Sequence, residues 1–479
     1  MTLEPVVGLE VHLQFSTDTK LFCGCPTAFG APPNSQTCPV CLGLPGALPV
    51  LNARAFAWGI KVALAFGCEL ARIMKFDRKQ YFYPDLPKNY QISQYDQPLA
   101  QHGHLDVEVG GEPRRIRIRR IHLEEDAGKL LHEASPTETY VDFNRAGIPL
   151  LEIVSEPDVR SAEEAYEYLT ELKTTVGYLG VSTCNMEEGS LRCDTNVSLR
   201  PAGREELGVK VEIKNLNSFR AVKLALEYEE ARQRQCLERG ERIVQDTRLW
   251  DAKRQVTEPM RSKEEAADYR YFPEPDLVPF VIEPAMVEAA GGQLPELPAA
   301  RRRRFCEAYG LSEYDARVLT QTWALGRLFE DAVRGANAPP KPVANWIMGD
   351  FLAYLNAKQA PLESIKLPGE WFGHLVQLIE DGTISGKMAK EVFVQMLERE
   401  VDPNTLVAEG GLRQVVDTAE LDALAARVIA AHPGAADEYA KGKLTALMYL
   451  VGQGMKQSQG TANPTQLTEA LRRRLGGSA

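Results

Sequence analysis

Two neighbouring stretches, residues 191–200 and 209–214, carry side chains that bind phosphates, metals and polar substrates. Both alternate apolar and polar residues, a period that predicts two half-buried strands. We expect them to pair antiparallel across the loop 201–208. Their polar face would present Arg192, Asp194, Asn196, Glu212 and Lys214. An ordinary solvated sheet face explains these two strands as well as a binding site does, so other parts of the chain must distinguish the two interpretations.

Further carboxylates and a histidine stand on other predicted strands. Glu10 and His12 share the polar face of a strand predicted over 5–15. Glu152 interrupts an apolar strand predicted over 148–156, where a carboxylate is unfavourable unless it is paired or bound to a cation. Three adjacent carboxylates end another strand: Glu124, Glu125 and Asp126. If these strands lie side by side, their acidic groups converge on a divalent-metal site for a nucleoside triphosphate.

Four cysteines form two tight pairs, Cys23-Gly-Cys25 and Cys38-Pro-Val-Cys41. This spacing predicts a structural zinc site with all four tetrahedral positions filled by sulfur. Four buried thiols without a metal are the alternative. An odd total of nine cysteines argues against a disulfide framework. The other five are expected to be free thiols: Cys68, Cys184, Cys193, Cys236 and Cys306.

Two segments have the composition of nucleic-acid contacts. Residues 75–98 interleave basic and aromatic side chains, which suits a nucleotide or an RNA end, although a well-packed surface loop has the same composition. From Ala431 onward, six basic residues stand against three acidic ones, a net charge of 6 − 3 = +3. The candidate phosphate contacts there are Lys441, Lys443, Lys456 and Arg472. A solvated helix end explains the arginines at 472–474 equally well.

Length and composition limit the possible classes of protein. A chain of 479 residues should form two to four domains. Its net charge, 55 − 66 = −11, gives no general attraction to nucleic acid, so any RNA binding would need local basic patches. The sequence has no secretory or transit pattern at its start and no apolar run of the roughly 20 residues that a membrane helix needs. A cytoplasmic location is therefore expected.

The pattern of elements predicts an α+β fold followed by helices. Helical segments at 52–72, 161–177 and 218–240 alternate with the strands. From Leu294 the periodicity is helical only, with one segment predicted over 312–335 and a break near 400–403. We expect three domains: a mixed domain of strands and helices at 1–293 that includes the two cysteine pairs, a helical domain at 294–404 and a small helical tail at 405–479.

The chain resembles, essentially end to end, the B subunit of bacterial glutamyl-tRNA(Gln)/aspartyl-tRNA(Asn) amidotransferases. The resemblance is carried by seven stretches: GLEVH (8–12), KFDRKQYFYPDLPKNYQISQYDQP (75–98), HLEEDAGK (122–129), LEIVSEPD (151–158), MEEGSLRCDTNVSLR (186–200), KNLNSF (214–219) and DYRYFPEPD (268–276). The cysteine quartet occurs in only part of that family. Zinc would therefore serve structure rather than chemistry.

The resemblance implies a cradle-shaped catalytic domain with an antiparallel sheet similar to glutamine synthetase, and a tail that binds tRNA. It implies that ATP phosphorylates the side-chain carboxylate of Glu or Asp misacylated on tRNA, and that ammonia then displaces the phosphate. The ammonia would come from an amidase (A) subunit, in a heterotrimer with a small C subunit. No nucleophile for glutamine hydrolysis is visible in this chain.

The resemblance also implies residue roles. The Mg²⁺ or Mn²⁺ ligands would be Glu10, His12, Glu125, Glu152 and Glu212, with Asp194 as an additional candidate. Lys79, Arg192 and Lys214 would contact ATP. The catalytic residues would be these three together with Glu125 and Asn217. The main alternative is a non-catalytic tRNA-binding scaffold whose carboxylates only stabilise the sheet, and a free-standing amide ligase for a small acid is a third hypothesis. A histidine among several carboxylates favours catalysis, and the basic tail favours a tRNA substrate.

Overall fold

The first strand alternates buried and partly exposed residues, as its sequence predicts, and it lies near the middle of a nine-stranded sheet. The computed structural model describes residues 2–131, 138–260, 269–365, 367–410, 418–458 and 461–476. Asp268, the first residue of one family stretch, lies outside them. Contacts divide the chain into two units, Met1–Leu297 and Pro298–Ala479.

The described part of the first unit contains strands and four α-helices. The strands are β1 (Leu3–Gln14), β2 (Glu69–Leu70), β3 (Ile73–Met74), β4 (Asp77–Gln80), β5 (Tyr90–Ser93), β6 (Ala100–Val109), β7 (Glu112–Glu125), β8 (Lys129–Leu131), β9 (Tyr140–Asp142), β10 (Pro149–Ser155), β11 (Leu191–Pro201), β12 (Val211–Lys214), β13 (Asp246–Asp251), β14 (Val256–Pro259), β15 (Phe272–Pro273) and β16 (Phe280–Val281). The helices are α1 (Ala53–Ala65), α2 (Ala162–Leu179), α3 (Phe219–Glu238) and α4 (Pro284–Gly291).

The large sheet has the strand order β14-β13-β12-β11-β1-β10-β7-β6-β2. All its neighbours pair antiparallel except β12 and β13. One face packs against the helices in a core that includes Val11, Leu123, Ile153, Tyr168 and Val222. The predicted α+β class and the antiparallel β11–β12 pair are confirmed. The likeness to glutamine synthetase and the three domain boundaries stay predictions.

Three details of the local prediction were wrong. The first helix ends at Ala65 rather than at 72, because Gly67 takes a left-handed φ of 62° and its N–H bonds to the carbonyl of Leu64. Val209 is exposed and lies before β12, so it does not belong to the buried side of that strand. The segment predicted as one helix over 312–335 is two, because the Thr322 hydroxyl caps a new helix by accepting from Leu325 N.

The second unit is helical in its described residues. Its helices are α5 (Pro298–Tyr309), α6 (Glu313–Leu319), α7 (Trp323–Ala336), α8 (Pro340–Trp346), α9 (Leu352–Lys358), α10 (Glu370–Glu380), α11 (Gly386–Arg399), α12 (Pro403–Gly410), α13 (Thr418–Ala431), α14 (Pro433–Ala440), α15 (Leu444–Gln457) and α16 (Pro464–Arg474), with a π-helical turn at Ile347–Phe351 and a 3₁₀ turn at Leu362–Ser364. One apolar cluster runs from Phe305 to Val407 and another from Leu421 to Leu471. None of the described helices in the chain is long and apolar enough to span a membrane.

Candidate active site on the polar face of the sheet

Four polar residues stand in one row across four neighbouring strands. His122 of β7 pairs with Glu152 of β10, Glu152 pairs with His12 of β1, and His12 pairs with Arg192 of β11. Antiparallel pairing brings side chains at directly opposite positions within contact distance on one face. The sheet therefore brings together side chains that are separated by more than a hundred positions along the chain.

His12, Glu124 and Glu152 form a cluster in which one ligand atom from each lies within 4.8 Å of the others. The Nε2 atom of His12 is 3.5 Å from Glu152 Oε2 and 3.7 Å from Glu124 Oε1. Both carboxylates are buried. Two carboxylates and one imidazole are a donor set that suits Mg²⁺ or Mn²⁺. We call these three residues the sheet cluster.

Charges on the two histidines stabilise Glu152 as a carboxylate. Burial acts to raise its pKa, but the charge of His122 and the hydrogen bonds from both histidines hold the pKa well below its usual range. Burial acts to lower the pKa of His12, but the hydrogen bond to Glu152 and the charges of Glu152 and Glu124 raise it. A positive charge is thus favoured at the point where the ligand atoms converge.

Lys79 of β4 adds a cation to the edge of the sheet cluster. Its Nζ lies 3.7 Å from Glu124 Oε2 and 5.3 Å from the centre of the Tyr269 ring. Burial acts to lower the pKa of Lys79, but the charges of Glu124 and Glu152 raise it, so the side chain is an ammonium. Tyr271 stacks on Tyr95 at 4.3 Å beside it. The arrangement offers a fixed positive charge and aromatic faces.

Other predicted site residues lie farther along the same face. Lys214 Nζ is 2.8 Å from Asp194 Oδ2 and 3.1 Å from Glu212 Oε1. Glu10 accepts a hydrogen bond from Asn196 Nδ2 at 2.9 Å, and burial together with the charges of Glu152 and Glu212 raises its pKa. These groups border the sheet cluster without belonging to it.

Two further predicted residues take different positions. The Arg192 Nη2 atom pairs with Asp126 Oδ1 at 2.9 Å. Asn217 is exposed in the connection between β12 and α3. Arg192 belongs to the row of four residues because it lies opposite His12, whereas Asn217 is not part of the row or of the sheet cluster.

The structure does not bring Glu125 to the sheet cluster; its neighbour Glu124 is there instead. Successive residues of a strand point to opposite faces, so Glu125 follows the core residue Leu123. Its carboxylate accepts from Ile92 N at 3.0 Å and pairs with the half-buried Lys88 ammonium. Sequence reasoning counted Glu124 among the converging carboxylates but chose Glu125 as the metal ligand, and it did not name His122 as a candidate. His122 and Glu124 alternate with the apolar residues Ile121 and Leu123, and this alternation predicts that both lie on the polar face.

The four cysteines converge at a second place, with their sulfurs within 4.8 Å of one another. We call them the cysteine cluster. A hydrogen bond from Cys23 lowers the pKa of Cys41 to about 4, whereas burial raises that of Cys25 to about 11. The Lys20 ammonium, only 1% exposed, lies 3.6 Å from Cys41 Sγ. All nine cysteines are free, as expected for the other five.

Comparison with known proteins gives the family. The family model described as "GatB/GatE catalytic domain" matches residues 5–288, and the model described as "GatB domain" matches residues 327–475. The chain belongs to the GatB family. The resemblance found in the sequence is thereby confirmed, and both GatB regions hold candidate site residues.

Curated relatives in the GatB family match nearly the whole chain. The B subunit of aspartyl/glutamyl-tRNA(Asn/Gln) amidotransferase from Carboxydothermus hydrogenoformans is 55% identical over 475 residues, which are 98% of each chain. The protein of the same name from Caldanaerobacter subterraneus subsp. tengcongensis is 51% identical and covers 99% of this chain and 100% of its own. The protein of the same name from Acaryochloris marina is 50% identical, and the match covers 99% of this chain and 98% of the relative.

The predicted tail contacts of this GatB-family chain are all exposed. Lys441 follows α14, and Lys443 precedes α15 and pairs with Glu438 at 2.9 Å. Lys456 and Arg472 lie in the last turns of α15 and α16. Cations in these last turns also complement the helix dipoles.

Proposed function

We propose that this chain carries the carboxyl-activating site of a tRNA-dependent amidotransferase. A side-chain carboxylate oxygen of Glu-tRNA(Gln) or Asp-tRNA(Asn) attacks the γ-phosphorus of ATP, and ADP leaves. Ammonia then attacks the carbonyl carbon, and phosphate leaves with the transferred oxygen, giving Gln-tRNA(Gln) or Asn-tRNA(Asn). A carboxylate is a poor acyl donor, so phosphorylation supplies the leaving group that amide formation needs.

The observation that carries this proposal is the sheet cluster. Three ligand-type side chains from β1, β7 and β10 converge beside Lys79 on a polar face. We propose His12, Glu124 and Glu152 as direct ligands of Mg²⁺ or Mn²⁺, with Glu10 and Glu212 next to them. The cation would neutralise triphosphate charge and orient its oxygens for in-line transfer. A scaffold protein has no need of such a convergence, so catalysis is favoured over the scaffold alternative.

The remaining roles follow from charge and position. Lys79, Arg192 and Lys214 are proposed to contact phosphate groups, since each is a cation on the polar face. Asn217 is proposed to reach substrate from its exposed loop. Glu125 is proposed to act with Lys88 rather than as a metal ligand, because its carboxylate is already bonded on the other side of β7.

We propose that the chain works in the cytoplasm within a heterotrimer. An amidase A subunit would supply ammonia from glutamine, and a small C subunit would complete the complex. The names of the relatives, each the B subunit of such an amidotransferase, support this proposal. The cysteine cluster would hold a structural Zn²⁺, because four sulfurs within reach of one ion leave no position for substrate.

An oxygen-tracing experiment tests the activation step. The complex receives tRNA misacylated with glutamate whose side-chain carboxylate carries ¹⁸O, together with ATP and glutamine. Transfer of one ¹⁸O into inorganic phosphate for each amide formed is the expected result, and unlabelled phosphate would exclude activation by phosphorylation. Omitting the tRNA is the control.

The tail, residues 405–479, is proposed to bind tRNA through Lys441, Lys443, Lys456 and Arg472. Deleting the tail should raise the KM for misacylated tRNA about 10-fold or more, because phosphate contacts supply much of the affinity for nucleic acid. The KM for ATP should stay unchanged. Equal use of charged tRNA by the truncated and intact complexes would assign the tail another role.

A further inference from the structure

Strand β7 carries five arginines, of which four have a carboxylate partner. Arg114, Arg115, Arg117 and Arg119 are exposed and pair with Glu164, Asp106, Asp158 and Glu156 at 3.6, 2.7, 2.7 and 3.4 Å. These pairs neutralise the outer part of the strand. Exposed ion pairs of this kind contribute little to stability.

The fifth arginine, Arg120, is different. It is half-buried, and among the residues that the structure describes it has no ion-pair partner. Its Nε atom is buried without a hydrogen-bond partner in the same part of the chain. A buried guanidinium N–H without an acceptor is unfavourable unless a ligand supplies one.

The register places Arg120 on the face of the sheet cluster. It lies opposite Val154, which lies opposite Glu10, and it is two residues from His122 along β7. Positions two apart on a strand share a face, so Arg120, His122 and Glu124 point to the same side. Burial raises the pKa of the Tyr271 phenol, and the charges of Lys79 and Arg120 both act to lower it, so the two cations lie near the same aromatic side chain.

We propose that Arg120 binds phosphoryl oxygens of the ATP that is activated at the sheet cluster. The planar guanidinium offers several N–H donors in the geometry that phosphate oxygens accept, and such charge-assisted bonds are strong. The polar face already carries Glu10, Glu124 and Glu152, so an anionic ligand needs cations besides the metal. Arg120 and Lys79 supply them. This inference rests on the function proposed above.

The test compares three variants in the intact complex: Arg120→Met, Arg120→Lys and Arg119→Met. Arg119 is the matched control, because it is the adjacent arginine, is exposed and already pairs with Glu156. The measurements are the equilibrium Kd for a non-hydrolysable ATP analogue, the KM for misacylated tRNA, and the melting temperature. Inorganic phosphate is titrated separately as a competitor of the analogue.

Arg120→Met should weaken analogue binding on the order of 10-fold or more, the usual effect of losing a charged hydrogen bond. Arg120→Lys should recover part of the loss, and Arg119→Met should bind like the wild type. The KM for tRNA should be unaffected. If the methionine variant does not fold, the Kd of Arg120→Lys for the analogue replaces it: a Kd above that of the wild type supports the phosphate contact, and a Kd equal to it contradicts the contact.

Three outcomes overturn the inference. Wild-type affinity in a folded Arg120→Met variant excludes a phosphate contact. A change confined to the KM for tRNA assigns Arg120 to the substrate carboxylate instead. Failure of the wild-type complex to bind the analogue removes the proposed function together with this inference, whereas analogue binding that is independent of Arg120 removes only the inference.

Discussion

The two candidate metal sites of the first unit differ in how they are built. The cysteine cluster uses one kind of ligand from one continuous stretch, residues 23–41, and its four sulfurs would fill the tetrahedral shell of a zinc ion. The sheet cluster uses a histidine and two carboxylates from three strands, and three ligands leave coordination positions for phosphate oxygens. A filled shell stabilises a fold, and an open shell can take part in a reaction.

The cysteine cluster and the sheet cluster also differ in the charged groups that surround them. The cysteine cluster has one buried cation, Lys20, whose Nζ contacts Cys41 Sγ and the carbonyl of Phe143. The sheet cluster is bordered by several ionisable groups of both signs, including Lys79 and Arg192. The Lys20 ammonium lies beside the thiol whose pKa is lowered, that of Cys41, whereas the cations that border the sheet cluster are available to an anionic ligand.

The largest expected effect is on catalysis, from Glu152→Gln. Loss of a ligand should slow ATP-dependent activation about 10³-fold, because a bound cation contributes several kcal/mol to such transfers. Single-turnover formation of phosphate from misacylated tRNA measures it. Glu156→Gln is the control, since that carboxylate pairs at 3.4 Å with the exposed Arg119 and should behave like the wild type. Near-normal activation by the Glu152 variant would contradict a catalytic role for the sheet cluster.

Cys38→Ser should show the opposite pattern, with a large loss of stability and a small loss of activity. This variant should lose bound zinc and melt about 5 °C or more below the wild type, because a structural metal contributes directly to folding. Activity of the protein that is still folded should fall far less than in Glu152→Gln. Metal analysis and calorimetry measure the two properties. A variant that keeps its melting temperature would show that the cysteines do not stabilise the first unit.

A smaller effect is expected for Lys20→Met. Removing the buried ammonium should weaken zinc affinity about 10- to 100-fold, the usual effect of changing a residue just outside a metal's ligands. Chelator competition measures this affinity. Lys61→Met is the matched control, because Lys61 bonds to the carbonyl of Leu179 and is not part of the cysteine cluster. Equal zinc affinities in the two variants would mean that Lys20 does not stabilise the cluster.

The contrast between the clusters also explains what the sequence could predict. The cysteine cluster followed from spacing alone, because all its ligands are close in the chain. The strand carrying Glu10 and His12 and the β11–β12 pair followed from alternation, which is a local property. The family resemblance supplied the catalytic hypothesis.

What the sequence could not give was the row of residues across the sheet. That row depends on the strand order β11-β1-β10-β7, which no local pattern encodes. The assignment of Glu125 rather than Glu124 illustrates the difficulty, because adjacent carboxylates at a strand end differ only in the face to which they point. Arg120 was not a candidate from the sequence, because only the structure shows that the other four arginines of β7 pair with carboxylates.

The most direct test of the sheet cluster is Mn²⁺ binding followed by electron paramagnetic resonance, in complexes carrying Glu124→Gln or Glu125→Gln. Zinc is first loaded so that the cysteines are occupied. We expect Glu124→Gln to lose a Mn²⁺ that the wild type binds in the presence of ATP analogue, and Glu125→Gln to keep it. Retention of that ion by Glu124→Gln together with its loss in Glu125→Gln would contradict the assignment of His12, Glu124 and Glu152 as the metal ligands.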